Sequence, residues 1–202
     1  GGAQPRQRRP RQQAGQDQHA RIEIDLETAF SGGMRRITLN RPVEGPGGIM
    51  QTRGQELEVR IPEGVTEGQQ IRLRGQGDPG INGGPAGDLY LEVGIRAHRQ
   101  FELEGRDVLL QLPVAPWEAA LGTEVTVPTL SGRIRLKVPA GSSSGKRFRL
   151  KGRGLPGRVA GDQYVILKVV VPEARTERQK ALYEELEKEY AFDPRSEMES
   201  KG

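Results

Sequence analysis

The chain has 202 residues, of which 34% are hydrophobic and only 4% aromatic, so its core must be thin and aliphatic, and no apolar run approaches the roughly 20 residues a membrane-spanning helix needs. It has no cysteine and two histidines, His19 and His98, which excludes a disulfide framework, a thiol nucleophile, cysteine-ligated zinc and a histidine-rich metal site. Its 31 basic and 27 acidic residues leave a net charge of +4, too little to identify a nucleic-acid partner from the total.

Residues 1–19, with Arg6, Arg8, Arg9 and Arg11, contain no aliphatic residue larger than alanine. Such a segment buries too little apolar surface to offset its ordering entropy, and a disordered basic linker is expected. From Ala20 a period of two sets in: Ile22, Ile24 and Leu26 alternate with Glu23, Asp25 and Glu27. The same alternation recurs at Leu57–Val59–Ile61, Ile71–Leu73, Leu89–Leu91–Val93–Ile95 and Val108–Leu110–Leu112. It continues at Val125–Val127, Ile134–Leu136–Val138, Phe148–Leu150 and Tyr164–Ile166. With 28 Gly and 14 Pro punctuating the gaps, the chain reads as many short half-buried strands. Near the end, Thr176-Glu177-Arg178-Gln179 has the spacing of a capping box, and the helix it opens places Leu182, Leu186 and Tyr190 on one stripe with Tyr183 beside them.

The sequence repeats itself. Pro62, Gly64, Gly68, Leu73, Gly75, Gly77, Pro79 and Gly80 meet Pro139, Gly141, Gly145, Leu150, Gly152, Gly154, Pro156 and Gly157 at a constant offset of 77. Gly87-Asp88-x-Tyr90 then meets Gly161-Asp162-x-Tyr164 after a three-residue loop difference, and Leu26–Phe30 looks like Trp117–Leu121. An all-β fold follows, with two tandem homologous β-sandwich-like domains at 20–101 and 102–173, a helix at 174–192 free to pair with a second copy, and a tail at 193–202.

Gly75-x-Gly77-x-x-Gly80 and its copy at Gly152 have the form of a dinucleotide fingerprint. That motif needs a following helix to receive the pyrophosphate, whereas here Pro79, Pro156 and more glycine lead into a strand, so a turn is expected. No serine or paired carboxylate stands in a recognisable catalytic arrangement, and no catalytic residue, metal or cofactor is assigned. Between Ser131 and Gly161 lie nine basic residues and no acidic one. Arg133, Arg135, Lys137, Lys146, Arg147, Arg149, Lys151 and Arg153 form the candidate phosphate-binding set, a basic face reading backbone rather than bases. The bland alternative is that these cations merely decorate edge strands.

The doubled unit V-x-I/V-P-x-G-x-x-x-G-x-x-I/F-R-L-x-G-x-G, closed by G-D-x-Y, resembles the two C-terminal client-binding domains of DnaJ-type J-domain co-chaperones. Pro116–Gly122 and Phe192–Arg195 look most like a DNA-binding bacterial branch of that family. The family's His-Pro-Asp J-domain is absent, which implies a fragment, and Asn40–Gln55 fills the place of the cysteine module without cysteine, which implies the zinc-less class. The resemblance implies a client groove on the first domain at Ile24, Ile37, Leu39 and Val93, with Ile22 and Met34 as neighbours. Ordinary core is the alternative for each. It further implies unfolded clients and a DnaK-type chaperone as partners, DNA with weak sequence specificity, and a homodimer through Leu182, Tyr183, Leu186 and Tyr190. The expected location is cytoplasmic and nucleoid-associated, with no membrane. Client holding leads; a primarily architectural DNA-binding role is the alternative.

Overall fold

The computed structural model describes residues 11–198. Two copies of one unit follow each other. The first comprises β1 (Gln18–Ile24), α1 (Leu26–Ser31), β2 (Gly33–Glu44), β3 (Met50–Ile61), β4 (Gln70–Leu73) and β5 (Leu89–Ile95). β6 (Phe101–Glu104) precedes the second, which comprises β7 (Asp107–Val114), α2 (Pro116–Leu121), β8 (Thr123–Thr129), β9 (Gly132–Val138), β10 (Arg147–Leu150) and β11 (Gln163–Val169). α3 (Glu177–Tyr190) closes the chain. In each unit a small sheet faces a two-stranded hairpin: β1-β5-β4 faces β2-β3, and β10-β11-β7-β6 faces β8-β9. Both sheets contain one parallel pair, β1 with β5 and β7 with β11, a feature the alternation alone did not announce.

Alternation makes the sandwich. Ile22, Ile24, Leu89, Leu91 and Val93 point inward from the first sheet and meet Val59 and Ile61, with Ile37, Leu39 and Leu57 partly buried against them. Each fully buried aliphatic side chain contributes roughly 1.5–3 kcal/mol, the dominant favourable term in so small a core. α1 starts where Asp25 accepts the Thr28 N–H at 2.7 Å and stops at Gly32, whose φ of 63° few other residues adopt. In α2 it is Glu118 that reaches back, accepting the Ala115 N–H at 2.8 Å. These termini align the copies one residue away from the sequence match. Gly32 corresponds to Gly122 and the buried Ala29 to the buried Ala119, an offset of 90, so Leu26 meets Pro116 rather than Trp117.

The structure also turns β11 over. Tyr164 and Ile166 are only half-buried, and the core face is Gln163, Val165 and Leu167. Gln163 occupies the place of Leu89 in the first unit, since Gln163 pairs with Val108 as Leu89 pairs with Gln18. It is fully buried; its Nε2 donates to the Pro128 carbonyl at 2.9 Å, but its Oε1 has no partner. An unsatisfied buried acceptor costs about 1–3 kcal/mol, and the first unit solves the same position with leucine. Gln163→Leu is therefore expected to stabilise the chain by about 1 kcal/mol, read as a higher unfolding midpoint. A lower midpoint would mean that the bond to Pro128 outweighs the stranded oxygen.

Of the expected linker at 1–19, residues 1–10 with Arg6, Arg8 and Arg9 lie outside the described residues. The remainder is tied down: Gln13 pairs with Ile81, Gly15 N–H donates to Pro85, and β1 starts at Gln18, two residues before the expected boundary. Phe101, expected to end the first unit, opens β6 of the second sheet. Thr176 caps α3 through the Gln179 N–H at 3.2 Å, and Gln179 Oε1 accepts the Thr176 N–H at 3.0 Å, the reciprocal pair its spacing predicts. Among the described residues, no helix is long and apolar enough to cross a membrane.

Candidate functional site

The six residues expected at a client groove do not share one environment. Ile22, Ile24 and Val93 are core side chains, 7%, 7% and 0% exposed. Ile37 and Leu39 are half-buried on the inner face of β2, and Met34, three residues from Ile37 and on the opposite face, is exposed. What the fold brings together is an edge. Among the described residues no strand pairs with the outer edge of β1 or of β2, and Ile37 and Leu39 lie on β2. The second unit closes only the edge that matches β1: β6 pairs antiparallel with β7, Phe101 opposite Leu110 and Leu103 opposite Val108, whereas among the described residues β8, the counterpart of β2, pairs with β9 alone. Sequence alternation missed this four-residue strand.

The basic set divides in the same way. Arg133, Arg135 and Lys137 alternate with Ile134, Leu136 and Val138, which face the core, and so line the outer face of the β8-β9 hairpin. Arg147 and Arg149 alternate with Phe148 and Leu150 and line the outer face of the opposite sheet. The expected single face is thus two faces, a distinction a run of sequence cannot carry. Some charges are already answered: Arg135 lies 2.6 Å from Glu124, and Arg149 lies 2.6 Å from Asp162. Asp162 also accepts the Gly152 N–H; that bond first, and Arg149 second, hold its carboxyl below the usual range. The same turn exists in the first unit, where Asp88 accepts from Gly75 and pairs with Arg72. The glycine motif is therefore a carboxylate-capped turn, with Gly75 at φ 68° and Gly152 at φ 70°.

Arg147 stacks over Tyr164, and Lys146 lies over Phe148. Arg153 donates to the Ser131 hydroxyl at 2.7 Å, which brings it to the β8-β9 turn beside Arg133. Arg133, Lys137 and Arg153 make no ion pair within 4 Å among the described residues, while Lys151 acts on Asp162 through space. In the first unit the exposed cations are more often paired: Arg21 bonds Glu23, Glu67 and Glu92, each at 2.8 Å, and Arg36 lies 3.7 Å from Glu58.

No residue of α3 is buried. Leu182, Leu186 and Tyr190 are 49%, 51% and 69% exposed, while Tyr183 is half-buried and donates its hydroxyl to the Pro172 carbonyl at 3.1 Å. The helix does not stand alone. Together with Trp117 and Leu121 of α2 it walls an open apolar groove of about 680 Å³. Trp117 and Leu121 are 57% and 78% exposed. Sequence analysis did not assign them, although a lone tryptophan four residues before a leucine was a signal available to it.

A family model described as the DnaJ C terminal domain matches residues 18–172. A curved DNA-binding protein of Coxiella burnetii (strain RSA 493 / Nine Mile phase I) is 52% identical over 187 residues, covering 92% of this chain and 60% of that protein. Proteins of the same name from Pseudomonas syringae pv. tomato and Shigella flexneri are 44% identical over 185 and 198 residues. Those matches cover 90% and 96% of this chain and 59% and 65% of theirs. The chain thus spans about three fifths of the length of these curated relatives.

Proposed function

Because the chain belongs to the DnaJ C-terminal domain family, we propose that it holds unfolded or extended polypeptides for a DnaK-type chaperone, as a homodimer and without catalysis of its own. The carrying observation is the outer edge of β1, uncovered among the described residues, whose counterpart β7 in the second unit is closed by β6, together with the half-buried Ile37 and Leu39 of β2 in the facing hairpin. An extended segment can satisfy such an edge with backbone hydrogen bonds, while alternate side chains find apolar contact. Ile22, Ile24 and Val93 serve as the packed floor that keeps the edge straight, rather than as contact residues.

Ile37→Asp combined with Leu39→Asp tests this reading. Removing two half-buried aliphatic contacts and placing charge there should cost about 2 kcal/mol of client affinity, roughly thirtyfold. The readout is protection of an aggregating model protein, with melting followed in parallel to show that the variant is folded. Undiminished protection by a folded variant would move the client site elsewhere.

A second reading has its own support. Three exposed cations in the second unit, Arg133, Lys137 and Arg153, make no ion pair among the described residues, and the relatives carry DNA binding in their name. We read the chain as binding DNA through phosphates with weak sequence specificity, in the bacterial cytoplasm and associated with the nucleoid.

A further inference from the structure

Arg106 bridges the two units where their backbones meet, beside a buried apolar cluster that runs from Leu26 and Val65 of the first to Phe101, Val108 and Leu155 of the second. Arg106 lies in the tight turn between β6 and β7, where Glu104 pairs with Asp107. Its Nη1 donates to the Gly64 carbonyl of the first unit at 2.9 Å and to the Pro156 carbonyl of the second at 2.5 Å. Its own carbonyl accepts the N–H of the fully buried Leu155 at 2.8 Å. Around it the backbones are in direct contact. A β-carbon on Gly64 would come within 1.8 Å of the Pro156 oxygen, and one on Gly157 within 2.5 Å of the Arg106 guanidinium. Gly64 is itself anchored, its N–H donating to Ala29 of α1 at 2.8 Å. The guanidinium therefore links α1 and the β3–β4 turn of one unit to the β10–β11 loop of the other.

The connecting segment is pinned at a second point. His98 Nδ1 accepts the N–H groups of Gln100 and Phe101, both at 3.1 Å, which leaves the ring proton on Nε2 to meet Glu27 of α1 at 2.9 Å. Five residues, 96–100, separate β5 from β6. With one end held by Arg96 N–H to Ile24 at 2.8 Å, the segment has little slack. The repeat itself isolates what is special. The offset of 90 puts Gln16 at the place of Arg106, and the offset of 77 puts Gly141 at the place of Gly64, where a β-carbon would meet nothing within 4 Å. The strut exists only between the units.

We propose that Arg106 is a positioning residue that fixes the angle between the two β-domains, and that this angle sets how the two first-domain edges of a dimer face a shared client. The second half of the statement rests on the client-holding reading; the first does not. A test can separate them. The chain has no cysteine, so Glu56→Cys and Ser143→Cys introduce one spin label on each unit at exposed positions. Doubly labelled full-length chain is diluted into a tenfold excess of unlabelled chain, so that only intrachain distances are read.

The expected result is a single narrow distance for the parent, a distribution at least twice as wide for Arg106→Ala, and recovery in Arg106→Lys, whose ammonium can also donate to two carbonyls. Gly64→Ala leaves the guanidinium in place but wedges the backbones apart, and is expected to shift the mean distance. Client protection by Arg106→Ala should fall several-fold while affinity for one short peptide stays unchanged. An unaltered distribution in Arg106→Ala and Gly64→Ala overturns the strut. A widened distribution with undiminished protection overturns its link to client capture. If the parent itself gives no protection, the client-holding reading fails while the distance measurement still decides the strut.

Discussion

Leu182→Asp combined with Leu186→Asp is expected to turn a dimeric chain into a folded monomer. Both leucines are half-exposed on a helix with no buried residue, and they share a groove with Trp117 and Leu121. Burying the exposed half of one leucine gains about 1 kcal/mol. A twofold interface uses each position twice, and each aspartate would also have to be desolvated. A loss of about 4 kcal/mol, roughly a thousandfold in Kd, follows. Because α3 packs none of its residues into the second unit's core, the melting transition of the β-domains should hardly move. Trp117→Ala should weaken the dimer from the α2 side, which separates a groove shared with a partner from a helix acting alone. Sedimentation at tens of micromolar decides the matter; a monomeric parent, or a double variant that still dimerises, defeats the assignment.

Neutralising unpaired cations should have the second large effect. If the second unit engages duplex DNA through phosphates, each lost contact flattens the slope of log affinity against log salt by roughly 0.9. Arg133→Gln, Lys137→Gln and Arg153→Gln together should therefore lower that slope by about 2 to 3 and weaken binding across all sequences alike. Arg135→Gln and Arg149→Gln should do less, because Glu124 and Asp162 already neutralise those guanidinium groups. A gel-shift titration over salt concentration checks both sets. Equal effects from the paired and unpaired sets, or no binding by the parent at low salt, would remove the DNA reading.

The contrast between the two charge sets was invisible before the fold, and the reason is general to this chain. Spacing conveys turns well. The glycine positions of the repeat mark matching turns in the two units, and Thr176 with Gln179 marks the start of α3, because both depend on backbone rules that act within a few residues. Facing is conveyed less well. Tyr164 and Ile166 are more apolar than Gln163, so alternation chose the wrong side of β11. Arg135 and Arg149 lie close in sequence but on opposite faces, because β9 and β10 belong to different layers. β6 alternates Phe101 and Leu103 with glutamates over only four residues, outside the repeat, and its partner β7 is what makes it a strand. The expected client positions divide for a similar reason: a period of two separates inside from outside, but not a fully buried valine such as Val93 from a half-buried isoleucine such as Ile37.

The unpaired edges of β1 and β2 also bear on stoichiometry. Strands that stack into a fibril grow at an end that presents one unsatisfied edge, and a folded chain offering a complementary edge can seat there once. Such a molecule would act as a terminator rather than as a container. It would arrest elongation at far below one copy per client chain, because fibril ends are few, while protecting soluble unfolded chains only in near-equal numbers.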